Sequence, residues 1–197
     1  DRFNIKNWLR DGNTDAPQVA LSAQAIVNCE AGGSCNGGMP IAVYRFAKSH
    51  GIPHASCEQY IAHNVDDKKE MCSAFNQCRD CSGPIPTVNE TGFDHCWAVN
   101  YKHYYASGYR SVIGVNQMKT ELATHGPIAC GIDVTDKFEA YTGGIYEESK
   151  LIPISNHVIS VVGYDVAEDG TEYWIGRNYW GTYWGEYGFF RIKMHKH

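Results

Sequence analysis

The sequence predicts an α+β fold in two lobes: a helical, cysteine-rich lobe over residues 1–110, then an antiparallel β lobe over residues 111–197. Three observations carry this. Helix-spaced apolar residues with capping signals fill the opening stretch. Five of the eight cysteines fall between residues 52 and 110, where few apolar positions are periodic, so this part reads as stapled loops. Beyond residue 127 the chain turns to β-branched and aromatic runs separated by turn signals.

Taken in order, Phe3, Ile5, Trp8 and Leu9 have near-helical spacing, and Gly12 is a fitting stop. No cap or lead-in precedes Asp1, and the first residues carry no signal-peptide pattern. The chain is therefore expected to open inside a helix, either processed or continued by upstream sequence. Ser22 suits the N-cap of a helix over 23–28, and a second helix is expected over 40–48, closed by Gly51. Asn116 is a candidate cap for a helix through Thr124, ended by Gly126-Pro127. Strands are expected over 128–134, 157–164, 173–177 and 188–194, with Glu168-Asp169-Gly170 as the turn between the second and third. A cleft between the lobes is the default site for such an architecture.

Composition narrows the function. With 197 residues, 43% hydrophobic and 20% charged, the chain is long enough for a sizeable core and ordinary in balance. A net charge of −5 leaves no basic stripe for nucleic acid. No apolar run approaches the roughly 20 residues that cross a bilayer. Eight cysteines are too few for a mini-protein scaffold and many for a reducing compartment, so an oxidising one is expected. The sequon Asn89-Glu90-Thr91 agrees. Gly83, Pro84 and Pro86 precede it and disfavour regular structure, so Asn89 is expected exposed and able to carry a glycan.

The chemistry concentrates near the C-terminus, in Asn156-His157-Val158, Arg177-Asn178-Tyr179-Trp180-Gly181 and Trp184-Gly185-Glu186. The hairpin joining the two central strands brings His157 within reach of Asn178. A carboxamide that holds one ring nitrogen fixes the tautomer and orientation of an imidazole, which is what a general base for a thiol requires. Trp180 would shield that hydrogen bond from water. A lone histidine at a strand start is more often satisfied by its neighbours alone. Here the asparagine, the two tryptophans and the paired glycines weigh the other way.

Nearly the whole chain resembles the papain-like cysteine peptidases, most closely the cathepsin X (cathepsin Z) branch. The matching segments are Asn28-Cys29 through Cys35-Asn36-Gly37-Gly38, Phe75-Asn76-Gln77-Cys78, Gly126-Pro127-Ile128-Ala129-Cys130-Gly131-Ile132, Tyr141-Thr142-Gly143-Gly144-Ile145-Tyr146, and the His157 and Asn178 blocks. The resemblance implies a papain-like two-lobed fold, peptide-bond hydrolysis on peptide or protein substrates, and a lysosomal or extracellular setting; a monomer without cofactor or metal is expected. His157 matches the catalytic histidine and Asn178 its orienting partner. Gly37 and Gly38 match a stretch whose backbone pairs with extended substrate, and Met39 the position beside the pocket for the second residue upstream of the scissile bond. Asn156 and Trp180 are expected beside the substrate. The same resemblance selects the disulfides Cys29–Cys72, Cys57–Cys78 and Cys81–Cys96, with Cys35 and Cys130 unpaired in this chain.

Relatives in that branch are carboxypeptidases that remove single C-terminal residues. Two departures stand out. Tyr179 occupies a position where the family has Ser, which is expected to crowd the site behind Asn178. The nucleophile of a Cys-Gly-Ser-Cys-Trp type motif and the oxyanion-hole Gln fall ahead of Asp1 in this alignment, so the chain is truncated relative to the family and is expected to be inactive alone. Neither Cys35 nor Cys130 reads as a substitute nucleophile. The spacing of Cys78, Cys81, His95 and Cys96 also admits a zinc reading, which a secreted context disfavours. A second functional class stays open: a non-catalytic relative that binds peptides or protein partners.

Overall fold

The computed structural model describes residues 1–15, 17–61, 72–80 and 96–194. The chain divides into two compact units, Asp1–Ala16 with Val112–His197, and Pro17–Ser111.

In the first of these units, α1 (Arg2–Asp11) ends at Gly12, whose N–H donates to the carbonyl of Trp8. Of the apolar residues that predict this helix, Phe3, Ile5 and Trp8 are half-buried and Leu9 is 82% exposed, while Asn4 is the buried residue of the helix. Polar anchoring adds to this packing. Arg2 donates to Glu121 Oε1 at 2.9 Å and to the carbonyls of Pro127 and Gly126 at 2.6 and 3.2 Å. Residues 1–16, which the sequence reading assigns to the helical lobe, therefore pack with the β-rich part of the chain. Glu121 and Gly126 belong to α2 (Val115–His125) and its C-cap. That helix starts one residue ahead of the expected cap Asn116, with Gly114 in the N-cap place and no side-chain cap bond.

Five strands form the sheet: β1 (Ile128–Ile132), β2 (Ile145–Tyr146), β3 (His157–Val166), β4 (Glu172–Arg177) and β5 (Phe189–Lys193), in spatial order β1-β3-β4-β5-β2. All pairs are antiparallel except β2 with β5. The β3–β4 turn falls on the expected residues, where Asp169 Oδ1 accepts the N–H of Thr171 at 2.9 Å. Packed on the sheet, the short helix α3 (Asp136–Glu139), capped by Thr135, delivers Phe138 into the core, where it is fully buried. Its ring meets Tyr146 and Phe190 edge-on at 5.3 and 5.0 Å and Trp184 at 5.1 Å. The Phe190 ring lies 2.2 Å from where a Cβ on Gly176 would stand, so β4 admits only glycine there.

The other unit is built from short helices and hairpins. Helix α4 (Ala23–Asn28) is capped by Ser22, whose Oγ accepts from Ala25 N at 3.0 Å, and α5 (Pro40–Ser49) opens with proline in its first turn. A third helix, α6 (Ala74–Gln77), is capped by Ser73. Two-residue strands pair as β6 (Gly33–Ser34) with β7 (Gly37–Gly38) and as β8 (Arg79–Asp80) with β9 (Trp97–Ala98). Disulfides join Cys29 to Cys72 and Cys57 to Cys78, and Cys96 is also disulfide-bonded. Its expected partner Cys81, like Asn89, lies outside the described residues. No helix among the described residues is long and apolar enough to cross a membrane.

One buried polar chain in this unit carries a pH dependence. Gln24 takes the N–H of Ile61 and donates to Asn28 Oδ1; Asn28 Nδ2 in turn donates to Glu58 Oε1. The other carboxyl oxygen of Glu58 is buried without a partner. Burial raises this carboxyl from its ordinary 4.5 to about 7, against the pull of Asn28 and the charge of Arg79. A folded-state pKa above the unfolded value means the folded state keeps a proton that the unfolded chain releases. The contribution of Glu58 to stability is thus full below pH 4.5 and declines as pH rises through about 7. Discounted for solvent screening, the expected loss is about 1–2 kcal/mol. Glu58→Gln should remove the slope in denaturant midpoints between pH 5 and 8; an unchanged slope in that variant would place its origin elsewhere.

Candidate active site

His157 opens β3 and Asn178 directly follows β4, so the antiparallel pair, registered at Ser160 against Arg177, delivers both to one end of the sheet. His157 also pairs across to Ile132 at the end of β1. Between them His157 Nε2 lies 2.9 Å from Asn178 Oδ1. The same oxygen accepts the backbone N–H of Tyr179 at 2.9 Å. A backbone N–H can only donate, so that end of the carboxamide is its oxygen, and the imidazole must carry its hydrogen on Nε2. Nδ1 keeps its lone pair. Asn178 is 5% exposed, which protects this hydrogen bond from competing water.

Trp180 sits against the imidazole, ring centroids 5.2 Å apart and tilted by 33°. It is held in turn by Trp184 at 5.1 Å and Phe138 at 6.0 Å, both near edge-on. The imidazole is thereby backed by the aromatic core itself. On its other flank, Asn156 pairs with the main chain of Val134 in both directions, Val134 N to Oδ1 at 2.8 Å and Nδ2 to Val134 O at 3.0 Å. Its carboxamide is committed to fixing the start of β3.

Gly37, Gly38 and Met39 lie in the other unit, at an exposed hairpin bordering a concavity of about 360 Å³ that Glu30, Ser34 and Ala42 also line. Gly38 is dictated by its own chain: a Cβ there would stand 2.4 Å from the carbonyl oxygen of Gly32. Gly37 is open, and Met39 is 66% exposed. Cys35 is exposed at the tip of this hairpin. Cys130 is a free thiol on β1; burial pushes its pKa up, which disfavours a thiolate. Cys78, offered as a zinc ligand by its spacing, is bonded to Cys57, and no metal-binding cluster occurs among the described residues.

Tyr179 does not crowd Asn178. It turns outward, 69% exposed, onto Arg177. Arg177 stands in the C-terminal block that the sequence singles out, but neither it nor Asp1 has a role assigned there. β4 ends at Arg177, so no strand period reaches Tyr179 to announce their contact.

The description "Papain family cysteine protease" matches residues 7–197. The chain is 44% identical over 194 residues to a protein named Cathepsin Z from Onchocerca volvulus, covering 98% of this chain and 56% of that one. It is 28% identical over 196 residues to Cathepsin B-like protease 1 of Arabidopsis thaliana, covering 98% and 48%. Among solved structures it superposes on proCathepsin B S9 from Trypanosoma congolense with a TM-score of 0.68 at 26% identity, covering 100% of this chain and 59% of that one. The bromelain protease from Ananas comosus, solved with the E64 inhibitor, gives 0.67 at 23% identity, covering 92% and 72%, a likeness of fold. The chain spans about half the length of the curated relatives it matches. With the fold, the disulfides and these matches in agreement, the chain belongs to the papain family of cysteine proteases.

Proposed function

We propose that the chain carries the histidine–asparagine half of a cathepsin Z-like carboxypeptidase, a cysteine peptidase of the lysosome or the extracellular space. The observation that carries this reading is the 2.9 Å contact between His157 Nε2 and Asn178 Oδ1. The nucleophile is a cysteine thiolate supplied by sequence ahead of Asp1, at the start of the helix that α1 continues. A helix N-terminus and a neighbouring imidazolium both lower a thiol pKa. The disulfides support the oxidising setting.

In the reaction, His157 Nδ1 takes the thiol proton while Asn178 holds Nε2–H and steadies the imidazolium. The sulfur attacks the scissile carbonyl carbon. The C–N bond breaks as Nδ1–H returns its proton to the leaving amine, and a thioester remains. His157 then takes a proton from water, the oxygen attacks the thioester, and the proton goes to the departing sulfur. Gly37 and Gly38 offer main-chain groups for pairing with extended peptide, and Met39 offers an apolar contact.

The test compares residues 1–197 with a form extended through the upstream segment. Both are assayed on peptides with a free or an amidated C-terminus and with an electrophilic epoxide. Turnover of the free form only, and stoichiometric labelling, are expected of the extended protein alone. Thiol-dependent turnover by the short chain, abolished by Cys35→Ser or Cys130→Ser, would show the nucleophile to be misplaced. Equal turnover of the amidated peptide would remove the carboxypeptidase assignment.

A further inference from the structure

Asn178 is held from only one end. Its Oδ1 accepts from His157 and from the N–H of Tyr179, whereas its Nδ2 is buried with no partner. Nothing on the nitrogen side tells the carboxamide which way to face. That choice falls to the Tyr179 N–H, and hence to whatever fixes the backbone of Tyr179.

A clamp between Arg177 and Tyr179 does so. Arg177 Nη2 donates to the Tyr179 hydroxyl at 2.7 Å and to Asp1 Oδ2 at 2.6 Å. The guanidinium carbon also lies 5.0 Å from the centroid of the Tyr179 ring. Asp1 ties this pair to the start of α1, and Asn178 N donates to the carbonyl of Gly188 at 2.8 Å. The residues on either side of Asn178 are therefore joined by hydrogen bond and ring contact, with Asn178 bracketed between them. An exposed tyrosine has no apolar reason to lie flat on a neighbour. A charge-assisted hydrogen bond together with a cation–π contact gives it one.

We propose that Tyr179 is a positioning residue: clamped by Arg177, it aims its N–H at Asn178 Oδ1 and so keeps the carboxamide oxygen on His157. It acts through Asn178 and touches no reacting atom. This builds on the peptidase reading, yet its first readout needs no activity.

The experiment uses the extended protein with ¹⁵N-labelled histidine. The Nε2–H resonance of His157 is followed for tautomer and solvent exchange in wild type, Tyr179→Phe and Tyr179→Ala. Wild type should show a protected Nε2–H. Tyr179→Ala should exchange at least about tenfold faster, with Tyr179→Phe between, since its ring contact survives. Where the protein turns over peptide, the alkaline limb of kcat/KM should fall by about half a pH unit in Tyr179→Ala, because a looser acceptor favours the imidazolium less. The shift should vanish in an Asn178→Ala background. Unchanged exchange in Tyr179→Ala, or an equal limb shift with Asn178 absent, would overturn the clamp. Altered exchange in a protein without turnover would leave the clamp standing and sink the peptidase reading.

Discussion

His157→Ala in the extended protein is expected to lower kcat/KM by on the order of 10²–10⁴-fold, the usual worth of a positioned general acid–base. The loss should appear in kcat, because His157 meets substrate only as the proton moves. Epoxide labelling should slow in parallel, since the thiolate loses its ion-pair partner. Asn178→Ala should cost less, as the imidazole keeps its contact with Trp180. A His157→Ala protein within tenfold of wild type would remove His157 from the chemistry and leave its bond to Asn178 a structural one.

The second large effect concerns the core behind that imidazole. Phe138→Ala should destabilise the β-rich unit by about 3–5 kcal/mol, the range for a fully buried aromatic whose cavity cannot collapse. Collapse is opposed because Tyr146, Trp184 and Phe190 meet the ring from different sides and are themselves pinned. Trp184 donates to the carbonyl of Glu139, and the Tyr146 hydroxyl to Glu148. Four of the five tryptophans lie in this unit, so the fluorescence transition in urea reads it directly. A loss under about 1.5 kcal/mol would mean that the surrounding rings close the gap. Trp180 loses a support as well, so catalysis should fall before the fold does.

Where local chemistry decides, sequence was a good guide. Ser22 reads as a cap and acts as one, and the Asp169-Gly170 turn follows from residues that bond their own backbone. The β3–β4 hairpin followed from period and turn, and with it the meeting of His157 and Asn178. The rest depends on partners distant in sequence. Asn116 has the better capping side chain, yet Gly114, at φ 90°, takes the place, and Asn116 falls two residues later, already inside the helix. The β2–β5 pairing rests on two residues, too few for any periodicity to announce. Glu58 reads as an ordinary exposed glutamate until Asn28, thirty positions earlier, is seen donating to it. Arg177 escaped for a simpler reason: beside an asparagine with an evident role, a strand-end arginine reads as surface.

The grip of Arg2 on Glu121, 119 positions along the chain, bears on the order of assembly. This hold of α1 exists only once Glu121, Gly126 and Pro127 are in place. During synthesis it must wait while residues 17–111 emerge as a continuous segment able to close its own contacts and cysteine bridges. The unit bearing His157 and Asn178 is discontinuous and rich in long-range strand pairs, so it is expected to form after the continuous one. A newborn chain is therefore expected to close its disulfide-bearing part before His157 meets Asn178.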